Sequence, residues 1–172
     1  MKPIDNWENV QASTDFKNLP AGGYVVVIRK ATEMTNPNGK AYLEILCDIA
    51  EGEFKGFAEG NEKLLRKMDA YSEGKASGLF KRFINSVTAS NRGFKWNWNE
   101  NALVGKIFGV VMYEEDYEKD GEIRTATKIW YPSTYSADDI RNGNFETVKN
   151  KKLDKQQPST AYTPAVDEDV PF

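Results

Sequence analysis

The sequence predicts a mainly β fold, a five-stranded Greek-key barrel with one helix between strands 3 and 4. Several short apolar runs, rich in β-branched and aromatic residues, are separated by turns that contain glycine and asparagine. A segment near the middle of the chain has the clearest helical repeat of apolar residues. The 172 residues suit a single domain, since typical domains hold about 100 to 200 residues.

The first two strands are predicted at residues 22–33 and 41–50, and the turn sequence NPNGK joins them as a hairpin. Every second residue of the second strand is apolar, at Leu43, Ile45, Cys47 and Ile49. This is the period of a strand with one buried face. We therefore expect Cys47 to be a buried apolar side chain and Tyr42 to lie on the more exposed face.

The middle of the chain contains the predicted third strand and the helix. The strand is predicted at residues 54–58, between Gly52, Gly56 and Gly60. Residues 61–71 are compatible with a helix, because Leu64, Leu65 and Met68 would share one face. The principal helix is predicted from apolar residues at helical spacing, namely Leu79, Phe80, Phe83, Ile84 and Val87.

The last two strands are predicted at residues 106–114 and 122–131, joined by an acidic loop that ends in Asp120 and Gly121. In the second of these strands, apolar or neutral residues alternate with Arg124, Ala126, Lys128 and Trp130. Three strands, a helix and two strands is the element order of an OB fold, a small barrel that binds oligonucleotides and oligosaccharides. A β-sandwich with an inserted helix is the main alternative.

The chain divides into four predicted parts. Residues 1–20 form an N-terminal arm, 21–145 the barrel domain, 146–166 a flexible linker, and 167–172 an acidic tip. The linker is predicted because the periodicity ends near residue 145, where lysines and prolines follow. The C-terminal tail is therefore expected to be disordered.

The composition excludes several kinds of site. The chain has no histidine and one cysteine, which rules out histidine-based catalysis and cysteine-rich metal sites. We predict a binding protein that is not an enzyme, with no catalytic residues, no metal site and no cofactor. The start of the chain lacks the apolar core of a signal peptide, and no run is long enough to cross a membrane. A cytoplasmic location and no membrane partner are expected.

The charge is unevenly distributed along the chain. The net charge is −3, but residues 156–172 contain three acidic and no basic residues, so the rest of the chain is neutral. From residue 55 to 95 nine basic residues face four acidic ones, and from residue 100 to 122 the acidic residues predominate. The net negative charge therefore does not argue against a ligand that carries phosphates.

The last six residues, DEDVPF, combine three acids with an apolar pair and a terminal carboxylate. Such a peptide can be steered to a basic surface and can place Phe172 in a pocket. The alternative is a tail that only increases solubility. The predicted partner-binding residues are Asp167, Glu168, Asp169, Val170, Pro171 and Phe172.

This ending resembles the acidic tip of bacterial single-stranded DNA-binding proteins, with Val170 where isoleucine is usual. Segments such as LPAGGYVVVIRKA, KASGLFKRF and IWYPS are similar to those of phage-encoded single-stranded DNA-binding proteins. The resemblance covers about residues 15–135 and the tip. It implies an OB fold that coats single-stranded DNA, or RNA, with little sequence preference during phage replication and recombination in a bacterial host. It also implies that the tip recruits replication and recombination proteins.

Single strands are held by cations that follow the phosphates and by aromatic rings on which bases stack. The candidate DNA-binding residues are therefore aromatic residues beside cations, together with cations of the basic stretch and the first strand: Arg29, Lys40, Tyr42, Phe54, Lys55, Phe57, Lys81, Arg82, Arg124, Lys128 and Trp130. Phe94, Trp96 and Trp98 are either a further stacking platform, part of the core or a dimer contact. A homo-oligomer, dimer or tetramer, is expected because one chain offers a short groove.

Two other functions compete with DNA binding. The acids Glu114, Glu115 and Asp116, with Asp138 and Asp139, would suit a Mg²⁺-dependent nuclease if they converged. However, adjacent residues on a strand point to opposite faces. An OB-like adaptor or inhibitor would instead bind another polypeptide. The acidic loop between the last two strands is expected to repel phosphate unless it faces away from the DNA.

Overall fold

A computed structural model of the chain describes residues 1–9, 18–72 and 74–153, leaving aside the side chains of Tyr131 and Pro132. Five antiparallel strands lie in the order β3-β2-β1-β4-β5. Because β3 also contacts β5, the sheet forms a nearly closed barrel. The mainly β, OB-like fold predicted from the sequence is confirmed. The strands are β1 (Gly22–Thr35), β2 (Ala41–Ile49), β3 (Arg66–Ala70), β4 (Ile107–Lys119) and β5 (Glu122–Tyr135).

In the described part of the chain two α-helices accompany the barrel, α1 (Gly74–Ser90) between β3 and β4, and α2 (Ala137–Arg141) after β5. Helix α1 packs against β3, β4 and β5. Its buried residues include Phe80, Phe83, Ile84 and Val87, as the helical spacing predicts, whereas Leu79 is exposed. The ring of Phe83 lies edge-on to Phe108 of β4, 5.0 Å between centroids, so the helix contributes directly to the barrel core.

The hairpin between β4 and β5 has a two-residue turn, Asp120 and Gly121, with φ angles of 55° and 76°. Two positive φ angles in succession match the turn type whose twist suits antiparallel strands. Gly121 adopts this conformation without the steric cost that a side chain would bring. The long hairpin predicted from the sequence is confirmed, and both strands extend beyond the predicted bounds.

The predicted third strand at residues 54–58 is wrong, since these residues form turns. Gly52, Gly56 and Gly60 all have φ near +80° to +87°, a conformation of turns rather than of strands. The third strand lies at Arg66–Ala70 instead. The helix considered for residues 61–71 is also wrong, because only a short 3₁₀ turn, Glu62–Leu65, precedes this strand.

A second, smaller apolar cluster lies on the outside of the barrel, where α2 and the following residues cover β1 and β4. Val25 and Val111 pack there with Ala137 and Ile140 of α2, beside the half-buried Phe145 and Val148. The segment continues along β4, where Lys151 pairs with Glu115 as a parallel bridge. Residues 146–153, predicted as the start of the linker, thus lie against the barrel.

The N-terminal arm also touches the barrel near its end. Leu19 is 2% exposed and belongs to the main core, and its carbonyl accepts a hydrogen bond from the Thr127 hydroxyl. In the parts of the chain that are described, no helix is long and apolar enough to span a membrane.

Candidate nucleic-acid interface

The outer surface of β1, β2 and β3 forms a regular array of side chains that we call the outer-face grid. The strand registers place its residues in three rows across the strands: Lys30, Leu46 and Arg66; Thr32, Glu44 and Met68; and Met34, Tyr42 and Ala70. Residues directly opposite each other in antiparallel strands share a face. The intervening residues of β2, such as Ile45 and Cys47, are fully buried in the core, so the grid faces outward.

Two cations occupy the edges of the first row. Lys30 is exposed, and none of the described residues forms an ion pair with it. Arg66 has a 46% exposed side chain whose Nη1 lies 3.6 Å from Oε2 of Glu44. Since Glu44 offsets part of one positive charge, the row retains a net positive character.

Tyr42 provides the aromatic ring of the grid, as the alternation in β2 predicts. It is half-buried, and its hydroxyl lies 3.7 Å from Sδ of Met34. Met34 and Met68 are 38% and 40% exposed, so polarizable apolar atoms are exposed on both neighbouring strands. A flat ligand could lie over this surface.

Two further predicted cations lie close to the grid in the chain. Arg29 is exposed at a β-bulge of β1, where the register with β2 shifts by one residue between Ile28 and Lys30. Lys40 is exposed at the end of the β1–β2 turn. The Asn36 side chain orders this turn, because its Oδ1 accepts hydrogen bonds from the backbone N–H groups of Asn38 and Lys40.

The outer face of β5 presents Arg124, Lys128 and Trp130, as the alternation in the sequence predicts. The ring of Trp130 lies edge-on to Tyr113 of β4, 5.7 Å between centroids. Lys128 pairs with Glu115 at 2.6 Å, and Arg124 lies 3.7 Å from Glu122. This face therefore has rings and cations together, but its cations are already opposed by carboxylates.

The acids of the β4–β5 arm are largely neutralised within the protein. Glu114 pairs with Lys152 at 2.8 Å, and Glu115 pairs with Lys128 and Lys151. The ammonium group of Lys128 donates to Glu115 and holds the pKa of that carboxyl below its usual range. From the sequence alone these acids are expected to repel the phosphates of DNA. The structure shows that lysines of the C-terminal segment, Lys151 and Lys152, pair with them.

The remaining aromatic candidates lie in the loop between β2 and β3. Phe54 and Phe57 are half-buried and pack against the main core, and the Phe54 ring contacts Tyr24 at 6.2 Å. Lys55 is exposed between them. These two rings do not share a strand face with Tyr42.

Lys81 and Arg82 lie on the exposed side of α1, as the helical spacing predicts. The guanidinium group of Arg82 lies 5.8 Å from the centroid of the Tyr135 ring. The structure therefore places these two cations on the helix and not on the grid.

Phe94, Trp96 and Trp98 follow α1, and all three are half-buried or exposed. Phe94 and Trp96 pack against the main core, whereas Trp98 is 73% exposed. Core packing therefore accounts for two of the three rings.

The two acid clusters considered for a metal do not form one site. Glu114 and Glu115 pair with lysines on opposite sides of β4, and Asp138 pairs with Arg141 at 2.8 Å. Within residues 1–9, 18–72 and 74–153, no group of three or more acidic or cysteine side chains is arranged to hold a metal ion.

The predicted partner-binding tip, residues 167–172, lies outside the described residues. Two grid residues, Lys30 and Arg66, were not among the sequence candidates. Lys30 lies just beyond the bulge, which reverses the strand's alternation there, and Arg66 lies in the segment that was considered as a helix.

Comparison with known proteins adds no family to this description. No protein-family model matches the chain, and a search of curated proteins finds no relative.

Proposed function

We propose that the protein binds single-stranded DNA, or RNA, across the outer-face grid without catalysing a reaction. The observation that carries the proposal is the grid itself, where the half-buried ring of Tyr42 lies near two exposed methionines and shares a face with a row that has Lys30 and Arg66 at its edges. In OB barrels this side of the second and third strands binds oligonucleotides. Around Val25 and Val111 the outer side of β1 and β4 is covered by α2 and Phe145, whereas the later part of β1, which belongs to the grid, is not part of this covered cluster.

The dimensions of a sheet suit this ligand. Neighbouring strands are about 4.8 Å apart, so Lys30 and Arg66 are separated by about 10 Å across β2. The row with Tyr42 lies four residues further along the strands, about 13 Å away, so the two cations would contact phosphates of nucleotides that neighbour the one whose base stacks on Tyr42. A stacked base contributes about 1–3 kcal/mol, and every base has a face to stack, so the binding has little sequence preference.

The outer face of β5 extends the proposed path. Since β5 lies next to β3 across the barrel opening, Arg124, Lys128 and Trp130 can contact nucleotides beyond Arg66. Binding there requires phosphates to replace Glu115 and Glu122 as partners of the two cations. We therefore assign the grid the larger share of the affinity.

The proposal includes two kinds of protein partner, both motivated by the sequence. The acidic tip, from Asp167 to Phe172, recruits replication or recombination proteins of a phage-infected bacterial cell. Self-association into a dimer or tetramer lengthens the DNA-binding path beyond one barrel.

The test is a titration of labelled oligo-dT with the full chain, followed by fluorescence anisotropy over a range of salt concentrations. We expect log affinity to fall linearly with log salt, by about 0.7 for each phosphate neutralised. Lys30→Ala and Arg66→Ala should weaken binding and reduce this slope by about 0.7 each. Tyr42→Ala should weaken binding by about 1–3 kcal/mol and leave the slope unchanged.

Lys81→Ala is the matched control, because it removes one positive charge from α1 and not from the grid. If it weakens binding as much as Lys30→Ala, the grid is not the site. Binding that is absent at low salt would contradict the function and favour the protein adaptor. Cleavage of the oligonucleotide when Mg²⁺ is added would favour the nuclease.

A further inference from the structure

A small concave site lies on the other side of the sheet from the grid, beside the first turn of the barrel. Glu33 and Leu43 are register partners on β1 and β2, one position away from the grid rows that contain Thr32, Met34 and Tyr42. Around them a cavity of about 130 Å³ is lined by aromatic rings and two carboxylates. We call it the aromatic pocket, and its defining residues are Glu33, Tyr71, Phe80, Trp96, Trp98 and Glu100.

The rings of the pocket form a connected cluster around Phe80. Its centroid lies 5.4 Å from Tyr71, 6.0 Å from Trp96 and 6.3 Å from Trp98. The two indoles are 5.8 Å apart. Rings whose centroids are this close contact each other, so neighbouring aromatic rings form the wall of the cavity.

Trp98 is the most unusual member of the cluster. It is 73% exposed and has a φ angle of +63°, a conformation in which large side chains are rare. Holding a residue there costs about 1–3 kcal/mol, and such strain concentrates at binding sites. An exposed indole in a strained conformation at the mouth of a cavity is not explained by core packing.

The charge of the pocket is negative. The Tyr71 hydroxyl donates a hydrogen bond to Oε1 of Glu33, and this bond raises the pKa of Tyr71 to about 12. Glu100 adds a second carboxylate, whose charge raises that pKa further. Among the described residues, no lysine or arginine forms an ion pair with either glutamate.

We propose that the aromatic pocket binds the ammonium or guanidinium group of a lysine or arginine side chain presented by a polypeptide partner. Aromatic faces attract organic cations, and the attraction reaches about 2 kcal/mol when the cation is desolvated. The two carboxylates strengthen it and repel phosphate. The cavity is smaller than the roughly 300–1,000 Å³ of small-molecule sites, which suits one head group of a larger partner.

This inference does not rest on the proposed DNA binding, because the pocket and the grid lie on opposite faces of the sheet. The acidic tip of the chain itself is a poor occupant, since it would place further negative charge beside Glu33 and Glu100. A basic segment of another protein has the complementary charge.

The test uses three short capped peptides, Gly-Lys-Gly, Gly-Arg-Gly and Gly-norleucine-Gly, titrated into the full-length protein. The readouts are tryptophan fluorescence and the indole N–H signals of Trp96 and Trp98 in NMR spectra, assigned by Trp98→Phe. We expect the lysine and arginine peptides to shift these signals and the norleucine peptide to leave them unchanged. A norleucine peptide that shifts them equally would overturn the proposal.

Two variants test the chemistry. Trp98→Ala removes an exposed ring, and Glu100→Gln removes one charge without changing the shape of the side chain. Each should lower the affinity for the lysine peptide about fivefold to tenfold. Glu118→Gln, on the exposed end of β4, is the matched control and should have no effect. Equal weakening by Glu100→Gln and Glu118→Gln would show that the peptide responds only to net charge, and would overturn the proposal.

Two further titrations identify the source of the ligand. Tetramethylammonium that binds as tightly as the lysine peptide would assign the pocket to a free organic cation and overturn the polypeptide partner. A nucleoside that shifts the same indole signals, while the peptides do not, would make it a base-binding pocket. A saturating concentration of oligo-dT should leave the affinity for the lysine peptide unchanged, because the pocket and the grid lie on opposite faces of the sheet. A protein that fails to bind DNA can therefore still bind the peptide, and the two proposals can fail separately.

Discussion

Lys67 and Asp69 form an ion pair inside the barrel. They lie two positions apart on β3 and therefore point to the same face, where their side chains are 2% and 7% exposed. The ammonium group also lies 5.3 Å from the centroid of the Phe83 ring. Burial raises the pKa of the Asp69 carboxyl, and the charge of Lys67 lowers it in part.

Removing only Lys67 should destabilise the barrel strongly. Lys67→Met leaves Asp69 buried without its counter-charge, and breaking such a pair costs about 3–5 kcal/mol. In Lys67→Met the pKa of Asp69 in the folded state should rise further above its value in the unfolded chain. The folded variant then loses stability as the pH rises from the unfolded pKa through the folded pKa. Urea unfolding should therefore show a larger loss at pH 7 than at pH 5.

The double variant Lys67→Met, Asp69→Leu is the control for this pair. Replacing a buried ion pair by apolar residues is often neutral or stabilising, so the double variant should regain most of the lost stability. A double variant as unstable as Lys67→Met would mean that the pair holds the barrel through other contacts.

The covering of β1 and β4 depends on two glycines that allow close approach. A methyl group on Gly109 would lie 2.8 Å from the Ser136 carbonyl oxygen and 2.5 Å from Cγ1 of Ile140. Gly109→Ala should cost about 1–3 kcal/mol of unfolding free energy, because the obstructing atoms include backbone.

Gly23→Ala provides a contrasting case, since the three atoms nearest to its methyl group would all belong to the Phe145 ring, the first at 2.6 Å. We expect it to destabilise the wild type but to cost much less in a Phe145→Ala background. Urea unfolding of the four combinations measures this coupling. Additive losses would show that Phe145 does not press on Gly23 in solution.

The strands and the helix were predictable where their buried faces are apolar. The inward residues of β2, from Leu43 to Ile49, are all apolar, and the apolar residues of α1 recur at helical spacing. Strand β3 was not predictable, because its inward residues are Lys67 and Asp69 and its large apolar residue, Met68, faces outward. In this strand the polar residues face the core and the apolar residue faces outward, which is the reverse of the usual pattern. Residues 61–71 therefore look more like a helix in the sequence, and Arg66 is not predicted as a site residue.

The site itself was only partly predictable, for two physical reasons. Tyr42 and the outer residues of β5 follow from alternation along one strand. Lys30 does not, because the bulge at Arg29 shifts the pattern by one residue. The aromatic pocket joins β1 to residues after α1, and pairing of such distant segments leaves no periodic signal in the chain.

The stability should depend on pH through Glu51. Its carboxylate accepts two hydrogen bonds from Arg141 of α2, at 2.8 and 2.9 Å, and these hydrogen bonds lower its pKa. A lowered pKa in the folded state gives stability that is present at neutral pH and lost as the pH falls through the folded value. Glu51→Gln should cost less than about 1 kcal/mol at pH 7, since the pair is exposed.

The same comparison in acid checks the assignment. At a pH below the lowered folded-state pKa of Glu51, where its carboxyl is protonated in both the folded and the unfolded chain, wild type and Glu51→Gln should have nearly equal unfolding free energies. A difference that persists unchanged at pH 3 would mean that the glutamine disrupts packing instead of removing a charge interaction.

Cys47 should be unreactive in the folded protein. Its side chain is fully buried, and burial raises the pKa of the thiol to about 12 despite the nearby charge of Lys67. Since the thiolate is the nucleophile, we expect iodoacetamide to label Cys47 only as fast as the barrel opens. Labelling of the native protein at the rate of the urea-unfolded chain would show that β2 is accessible.

Deleting residues 156–172 should tighten DNA binding at low salt. The deletion removes three acids and no cations, so in the proposed DNA complex an anionic segment would no longer compete with DNA for the cations of the grid. Anisotropy titrations of the deleted and full-length chains should converge as salt screens the charges. Unchanged affinity at low salt would argue against competition by the tail.

The bridge between Glu115 and Lys151 limits how much further the C-terminal segment can be shortened. Beyond residue 112, β4 extends past β1, and backbone N–H and C=O groups on this side pair with residue 151. An uncovered edge of this kind is a template for pairing with another chain and promotes aggregation. Residues 150–153 therefore protect a strand edge, and a truncation that ends before residue 150 would expose it and favour association between copies.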